Sequence, residues 1–144
     1  MYPALQLPPA SLKVTKEEDL FWVWCVLRKK KLQLSPEEWV RQHVIHFLLD
    51  HKQIGAGKLI SEMPLAIHGQ TRRADLVILD EQGNGKLIVE CKATTVPIDE
   101  KTFLQTSNYV QKTGARYFWM TNGLQHVIMD CREGRFIQDL PEKL

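Results

Sequence analysis

Apolar positions along the chain repeat with two spacings, and the switches between them mark out its elements. Leu20-Phe21-Trp22-Val23-Trp24-Cys25-Val26-Leu27 is aromatic and β-branched and reads as a strand, although a short buried helix carries the same signal. A lysine run and a second extended piece, Leu32-Gln33-Leu34, follow. Ser35-Pro36-Glu37-Glu38 then opens a helix. Ser35 caps it, Pro36 takes the first turn, and Glu38 stands at the acid position of a capping box. Val40, Val44, Phe47 and Leu48 carry the apolar face of this helix to about His51. A glycine-rich turn leads into a strand over residues 59–62. Two β-branched runs, residues 72–79 and 86–93, bracket Asp80-Glu81-Gln82-Gly83-Asn84-Gly85 and predict a hairpin. Pro97 ends that region, Asp99 caps a helix from residue 100 to about 112, and Gly114 closes it. Residues 115–120, 125–131 and 135–138 read as three strands around Thr-Asn-Gly and Glu-Gly turns. Residues 1–18, punctuated by proline and then charged, read as an extended arm. The order of helix, hairpin, helix and strands implies an α+β or α/β sandwich with a mixed central sheet. At 144 residues it makes one domain, 1–144.

The hairpin carries the chemistry. A turn centred between Gln82 and Gly83 sets Asp75 opposite Glu90 and Arg73 opposite Lys92. Side chains alternate along a strand, so Glu90 and Lys92 share a face and Cys91 points away. Two facing carboxylates resist ionising together unless a cation joins them. Oxygen ligands of this kind suit a hard divalent ion such as Mg2+ or Mn2+, with the backbone carbonyl of Cys91 as a further ligand. Lys92 beside the ion can orient or deprotonate a water, which is the arrangement of metal-assisted phosphodiester hydrolysis. Arg72 and Arg73, just ahead of Asp75, are candidates for phosphate contact. The bland alternative is a surface hairpin with solvated charges. Against it, a Glu and a Lys at the end of Leu-Ile-Val, on strands apolar on both faces, are costly to place without a purpose.

Arg73-Ala74-Asp75-Leu76-Val77 followed by Ile88-Val89-Glu90-Cys91-Lys92-Ala93 resembles the active-site core of the PD-(D/E)XK nuclease superfamily. More closely, the chain resembles small proteins related to the N-terminal nuclease domain of type I restriction enzyme R subunits. Ser35-Pro36-Glu37-Glu38-Trp39-Val40-Arg41-Gln42, Gln105 with Tyr109, and Thr121-Asn122-Gly123-Leu124 match that group in order, from about Leu34 to the last strands. The resemblance implies a restriction-endonuclease-like sheet flanked by helices and a metal-dependent DNA endonuclease. It also implies that Glu38 approaches the metal, a role that competes with its capping-box role. Gln105 and Tyr109, four apart on one helical face, would then stand beside the metal and contact DNA or the lysine; otherwise Tyr109 packs and Gln105 is solvated. The chain carries no motor and no target-recognition domain. A homodimer, or a restriction or repair partner protein, is therefore expected, because cutting both strands needs two active sites.

Composition narrows the partners. A hydrophobic content of 44% with 25% charged residues is ordinary for a globular protein. A net charge of +2 predicts local rather than global affinity for DNA. Arg28-Lys29-Lys30-Lys31 is either a solvated turn or a DNA footprint. Cys25, Cys91 and Cys131 sit in apolar runs without CxxC spacing and read as reduced thiols of a cytoplasmic protein. No signal peptide opens the sequence and no apolar run is long enough for a membrane span. His43 and His46 have a metal-binding spacing, but no third ligand motif completes a zinc site. Gly57-Lys58 is not a phosphate loop, since Lys52 and Leu59 stand where glycine and Ser or Thr are needed, so no nucleotide is expected. The rival function is a nucleic-acid-binding or assembly module that keeps the scaffold without cutting. A third is a nuclease for RNA or branched DNA.

Overall fold

A computed structural model describes residues 2–144. The chain is an α+β sandwich. Its centre is a six-stranded sheet in simple sequential order, built from β4 (Leu59–Ile67), β5 (Gln70–Leu79), β6 (Gly85–Cys91), β7 (Tyr117–Thr121), β8 (His126–Asp130) and β9 (Arg135–Ile137). Only β6 and β7 run parallel, which makes the sheet mixed. Parallel neighbours need a long crossover, and helix α2 (Glu100–Gln111) supplies it. Helix α1 (Pro36–His46) covers the other face. Val40, Val44, Ile45 and Leu48 pack with Leu76, Ile78, Leu87, Val89 and Trp119 on that side. Phe103 and Val110 of α2 pack with Val77, Ile88, Phe118 and Met120 on the other. Each such fully buried apolar side chain stabilises by about 1.5–3 kcal/mol relative to exposure.

Several expectations change in detail. The arm is part strand: β1 (Val14–Glu17) pairs with β2 (Leu20–Cys25), which pairs with β3 (Lys30–Gln33), in a separate three-stranded antiparallel sheet. The residues before it are strapped down rather than free. Gln6 N–H donates to the Gly123 carbonyl at 2.7 Å, Trp39 Nε1–H donates to the Pro3 carbonyl, and Leu5 and Leu7 pack on the core. Strand β4 runs on to Ile67, because alternation in Met63-Pro64-Leu65-Ala66-Ile67 is interrupted by a proline that disguised it. Helix α1 continues as a π-helical turn over Phe47–His51. The caps are as expected, with Ser35 accepting from Glu38 N–H and Asp99 from Thr102 N–H. The capping box is not completed, however. The Glu38 carboxylate instead pairs with Arg41 and Gln42 one turn along its own helix, and Arg41 links it to Asp75 on the sheet.

Candidate active site

The β5–β6 hairpin has the anticipated register: Leu76 pairs with Val89 and Val77 with Ile88, so the next step sets Asp75 beside Glu90. A bulge between Ile78 and Leu79 absorbs one residue at the turn, where the Asp80 carboxylate accepts from the N–H groups of Gln82 and Asn84. At the far end the ladder opens. Asp75 does not pair with β4, because its would-be partner Glu62 has a left-handed backbone with φ of +53°. Such a conformation costs a non-glycine residue about 1–3 kcal/mol and is kept only where its surroundings impose it. The twist also resets the alternation of β5: Ala74 faces the α2 side of the core while Leu76 faces the α1 side. The Asp75 carboxylate turns into the gap, where Oδ2 accepts the Cys91 N–H at 2.7 Å and Oδ1 accepts from Arg41 Nη2 at 3.0 Å.

Arg41 organises the site. Its guanidinium reaches Glu38 at 2.6 Å, Glu37 at 2.7 Å and Asp75, and its side chain is only 11% exposed. Burial opposes its charge, yet the surrounding acids hold it fully protonated. Glu38 Oε2 also accepts from Gln42 Nε2, and Gln42 is completely buried. On the other side of Asp75, burial first and the Asp75 charge second push the Glu90 carboxyl up to about 8, against the pull of Lys92 and Arg72. Burial beside Asp75 therefore favours the protonated form of the Glu90 carboxyl. Lys92 is half-buried just past β6, its N–H held by the Thr121 carbonyl. Asn122 braces this corner, donating to the Val96 carbonyl and accepting from the Leu124 and Gln125 N–H groups.

The two arginines ahead of Asp75 part company. Arg72 lies over the Tyr109 ring, 4.3 Å from its centroid, and is close enough to Glu90 to affect its charge. Arg73 turns away and donates to the Glu62 carbonyl at 3.4 Å. Gln105, Tyr109 and Arg72 line a cleft of about 390 Å³ between α2 and the tip of the β4–β5 hairpin, together with Asn108 and Lys112. The Tyr109 hydroxyl is buried without a partner among the described residues, and burial raises its phenol. Glu38, Asp75, Glu90, Lys92, Arg72 and Tyr109 thus gather along one continuous path, with Gln105 at its outer end and Arg73 on the other side of the strand. Arg41 and Gln42, part of the helix motif that resembles the family, both reach Glu38, and the sheet brings Asp75 to Arg41. His43 and His46 are engaged locally, by the Trp39 carbonyl and by Asp50.

An acid cluster at the open end of a hairpin, backed by a capped helix, defines a charged cleft on a sandwich scaffold. The sequence model described as Type I restriction enzyme R protein N terminus matches residues 36–141, and the chain belongs to that family. A solved fragment of a putative HsdR subunit of a type I restriction enzyme from Vibrio vulnificus YJ016 has a similar fold, with a TM-score of 0.53 and 18% identity. The alignment covers 77% of this chain but only 23% of that one. No curated protein matches.

Proposed function

We propose that the chain is a metal-dependent DNA endonuclease of the PD-(D/E)XK kind, hydrolysing phosphodiester bonds with Mg2+ or Mn2+. The observation that carries this reading is the charge imbalance around Asp75. Three carboxylates, those of Glu37, Glu38 and Asp75, share the one Arg41 guanidinium, and on the other side of Asp75 the buried Glu90 carboxyl is pushed up to about 8. Carboxylates crowded this way are relieved by a divalent cation. The donor set fits a hard ion: Asp75, Glu90 and the Cys91 carbonyl, with Glu38 as a further anchor for the ion or its water. Among the described residues no three potential ligands already stand at metal-binding spacing, so the side chains would close in as the ion enters.

When bound, such an ion would polarise the phosphate and sharpen a water for attack. Lys92 would orient that water or take its proton. Arg72 and Arg73 would hold phosphates on either side of β5, and Gln105 and Tyr109 would support the strand from α2. Arg41 would keep Asp75 and Glu38 aligned. DNA is then the substrate, and a second copy or a restriction or repair protein supplies the second cut. The buried free thiols of Cys25 and Cys91 suit a reducing cytoplasm. No helix of the described residues is long and apolar enough to cross a membrane.

One observation favours a second reading. Arg41 already neutralises Asp75 and Glu38, as it would in a scaffold that binds nucleic acid without cutting. Incubation of duplex, single-stranded and branched DNA and of RNA with Mg2+ or Mn2+ separates the two. Metal-dependent cutting of DNA, lost in Asp75→Ala and Lys92→Ala, is expected. Cutting of RNA alone would overturn the DNA assignment, and binding without cutting under either metal would leave the scaffold.

A further inference from the structure

The small sheet lies outside the family match, which begins at residue 36. One of its faces is core: Val23 and Cys25 of β2 are fully buried. The other is an aromatic surface. By alternation Leu20, Trp22 and Trp24 share that side, with Val26 just beyond, and Leu20, Trp24 and Val26 are each about 40% exposed. A monomer rarely leaves such a row on the central strand of a sheet without a use.

Its neighbours give the row a chemistry. Trp24 lies directly opposite Lys31 on β3, and its N–H donates to the carbonyl of Lys13, just ahead of β1. Trp22 lies between Thr15 and Gln33. Each tryptophan is thus flanked by exposed lysines or by uncharged hydrogen-bonding groups. Charge is polarised along the strands. Glu17, Glu18 and Asp19 stand at the β1–β2 turn, and Arg28, Lys29 and Lys30 at the β2–β3 end, all exposed. Residues 13–33 hold six cations against three acids, an excess larger than the net +2 of the whole chain. Lys31 is latched to Glu17 at 2.6 Å, but both groups are about half exposed, so a phosphate can replace the acid at little cost. The basic end adjoins the carboxylate site: Arg28 lies 3.6 Å from Glu62, the residue whose left-handed backbone leaves Asp75 unpaired.

We propose that this face of the small sheet is a binding platform for a single-stranded nucleic-acid segment. Trp24 and Trp22 stack bases, and Lys13, Lys31 and the Arg28–Lys30 turn hold the phosphates. Every base offers a π-face, so stacking of this kind is tolerant of sequence, and flanking lysines track the backbone. The acidic β1–β2 turn repels a polyanion and closes the track at one end; the basic turn leads the strand towards Asp75. Charge selects this occupant over an acid-free apolar protein surface. The assignment holds whether or not the carboxylate site cuts.

The test is binding of a fluorescein-labelled oligothymidylate of about 15 nucleotides, a span typical of one such site, followed by anisotropy in chelator so that cleavage plays no part. Trp24→Ala is expected to weaken binding about 5- to 100-fold, the range for loss of one stacked base. Trp24→Tyr should keep most of the affinity, and Lys31→Gln should weaken it and flatten its salt dependence. The paired change Lys29→Glu and Lys30→Glu alters only exposed side chains and should also weaken binding, which keeps the test decisive if Trp24→Ala fails to fold. Unchanged affinity in these variants overturns the proposal, as does a preference for duplex over the single strand. A wild-type dimer that Trp24→Tyr or the charge reversal turns into a monomer, with oligothymidylate binding unaffected, assigns the face to a second copy instead. Binding without cutting sustains the platform and sinks only the nuclease; cutting with unaffected binding in Trp24→Ala does the reverse.

Discussion

Arg41 and Asp75, 34 positions apart in the chain, form a largely buried ion pair of 3.0 Å that joins the first helix to the open end of the β5–β6 hairpin. The pair holds Asp75 where it also accepts the Cys91 N–H, so one contact sets both the helix position and the strand end.

Removing the cation should therefore be costly. Arg41→Met leaves Glu38 and Asp75 facing each other without compensation, and breaking a buried pair in this way costs about 3–5 kcal/mol. Urea melts in chelator measure the loss. Under the nuclease reading millimolar Mn2+ restores part of it, since the ion takes over the charge that Arg41 balanced. A loss that Mn2+ does not touch would speak for the scaffold.

Metal binding has its own readout. An ion that binds only the folded state raises the melting temperature by mass action, by about 2.7 kcal/mol of stability at a hundredfold excess over Kd. Mn2+ and Ca2+ should stabilise the native chain, and Asp75→Ala and Glu90→Ala should abolish the shift. No shift at millimolar ion would leave only a site completed by DNA.

The Glu90 proton gives a pH dependence of definite sign. Its carboxyl titrates near 8 in the folded protein, against 4.5 for the ordinary group. Below the lower value both states are protonated and the contribution to stability is fully present. As pH rises towards 8 the unfolded chain ionises freely while the folded one resists, so stability falls. The proton is shared with Asp75, so the titration belongs to the pair. Melting temperatures in chelator from pH 5 to pH 9 should show this fall, and Glu90→Gln should flatten it. A native profile as flat as that of Glu90→Gln would refute the assignment.

The N-terminal strap rests on Gly123. Its φ is +86°, and an added Cβ would lie 2.7 Å from Leu5 Cδ2. Gly123→Ala combines backbone strain with a clash and should cost more than about 1 kcal/mol. It should also loosen the segment that Gln6 ties to the Gly123 carbonyl. Limited proteolysis then cuts within the first dozen residues faster than in the native chain.

Local chemistry made much of this molecule legible. Ser35 and Asp99 cap helices whatever surrounds them, because the bonds they accept close within four residues. The Asp80–Gly85 turn set the hairpin register, and register alone brings Asp75 to Glu90. Strand β4 was half hidden because Pro64 interrupts its alternation and edge strands tolerate proline. What the sequence could not decide is where distant elements meet. A capping box would keep the Glu38 carboxylate on its own helix end; instead it pairs with Arg41, which packing of α1 on the sheet fixes in place by bonding it to Asp75 as well. Arg72 and Arg73 look equivalent in a string, yet a pleated strand sends them to opposite faces, one onto Tyr109 and one onto Glu62. Residue types and short-range bonds thus determined the elements and the acids of the site. Tertiary packing decided which charges those acids face and whether they hold a proton, because both depend on burial and on neighbours tens of residues away.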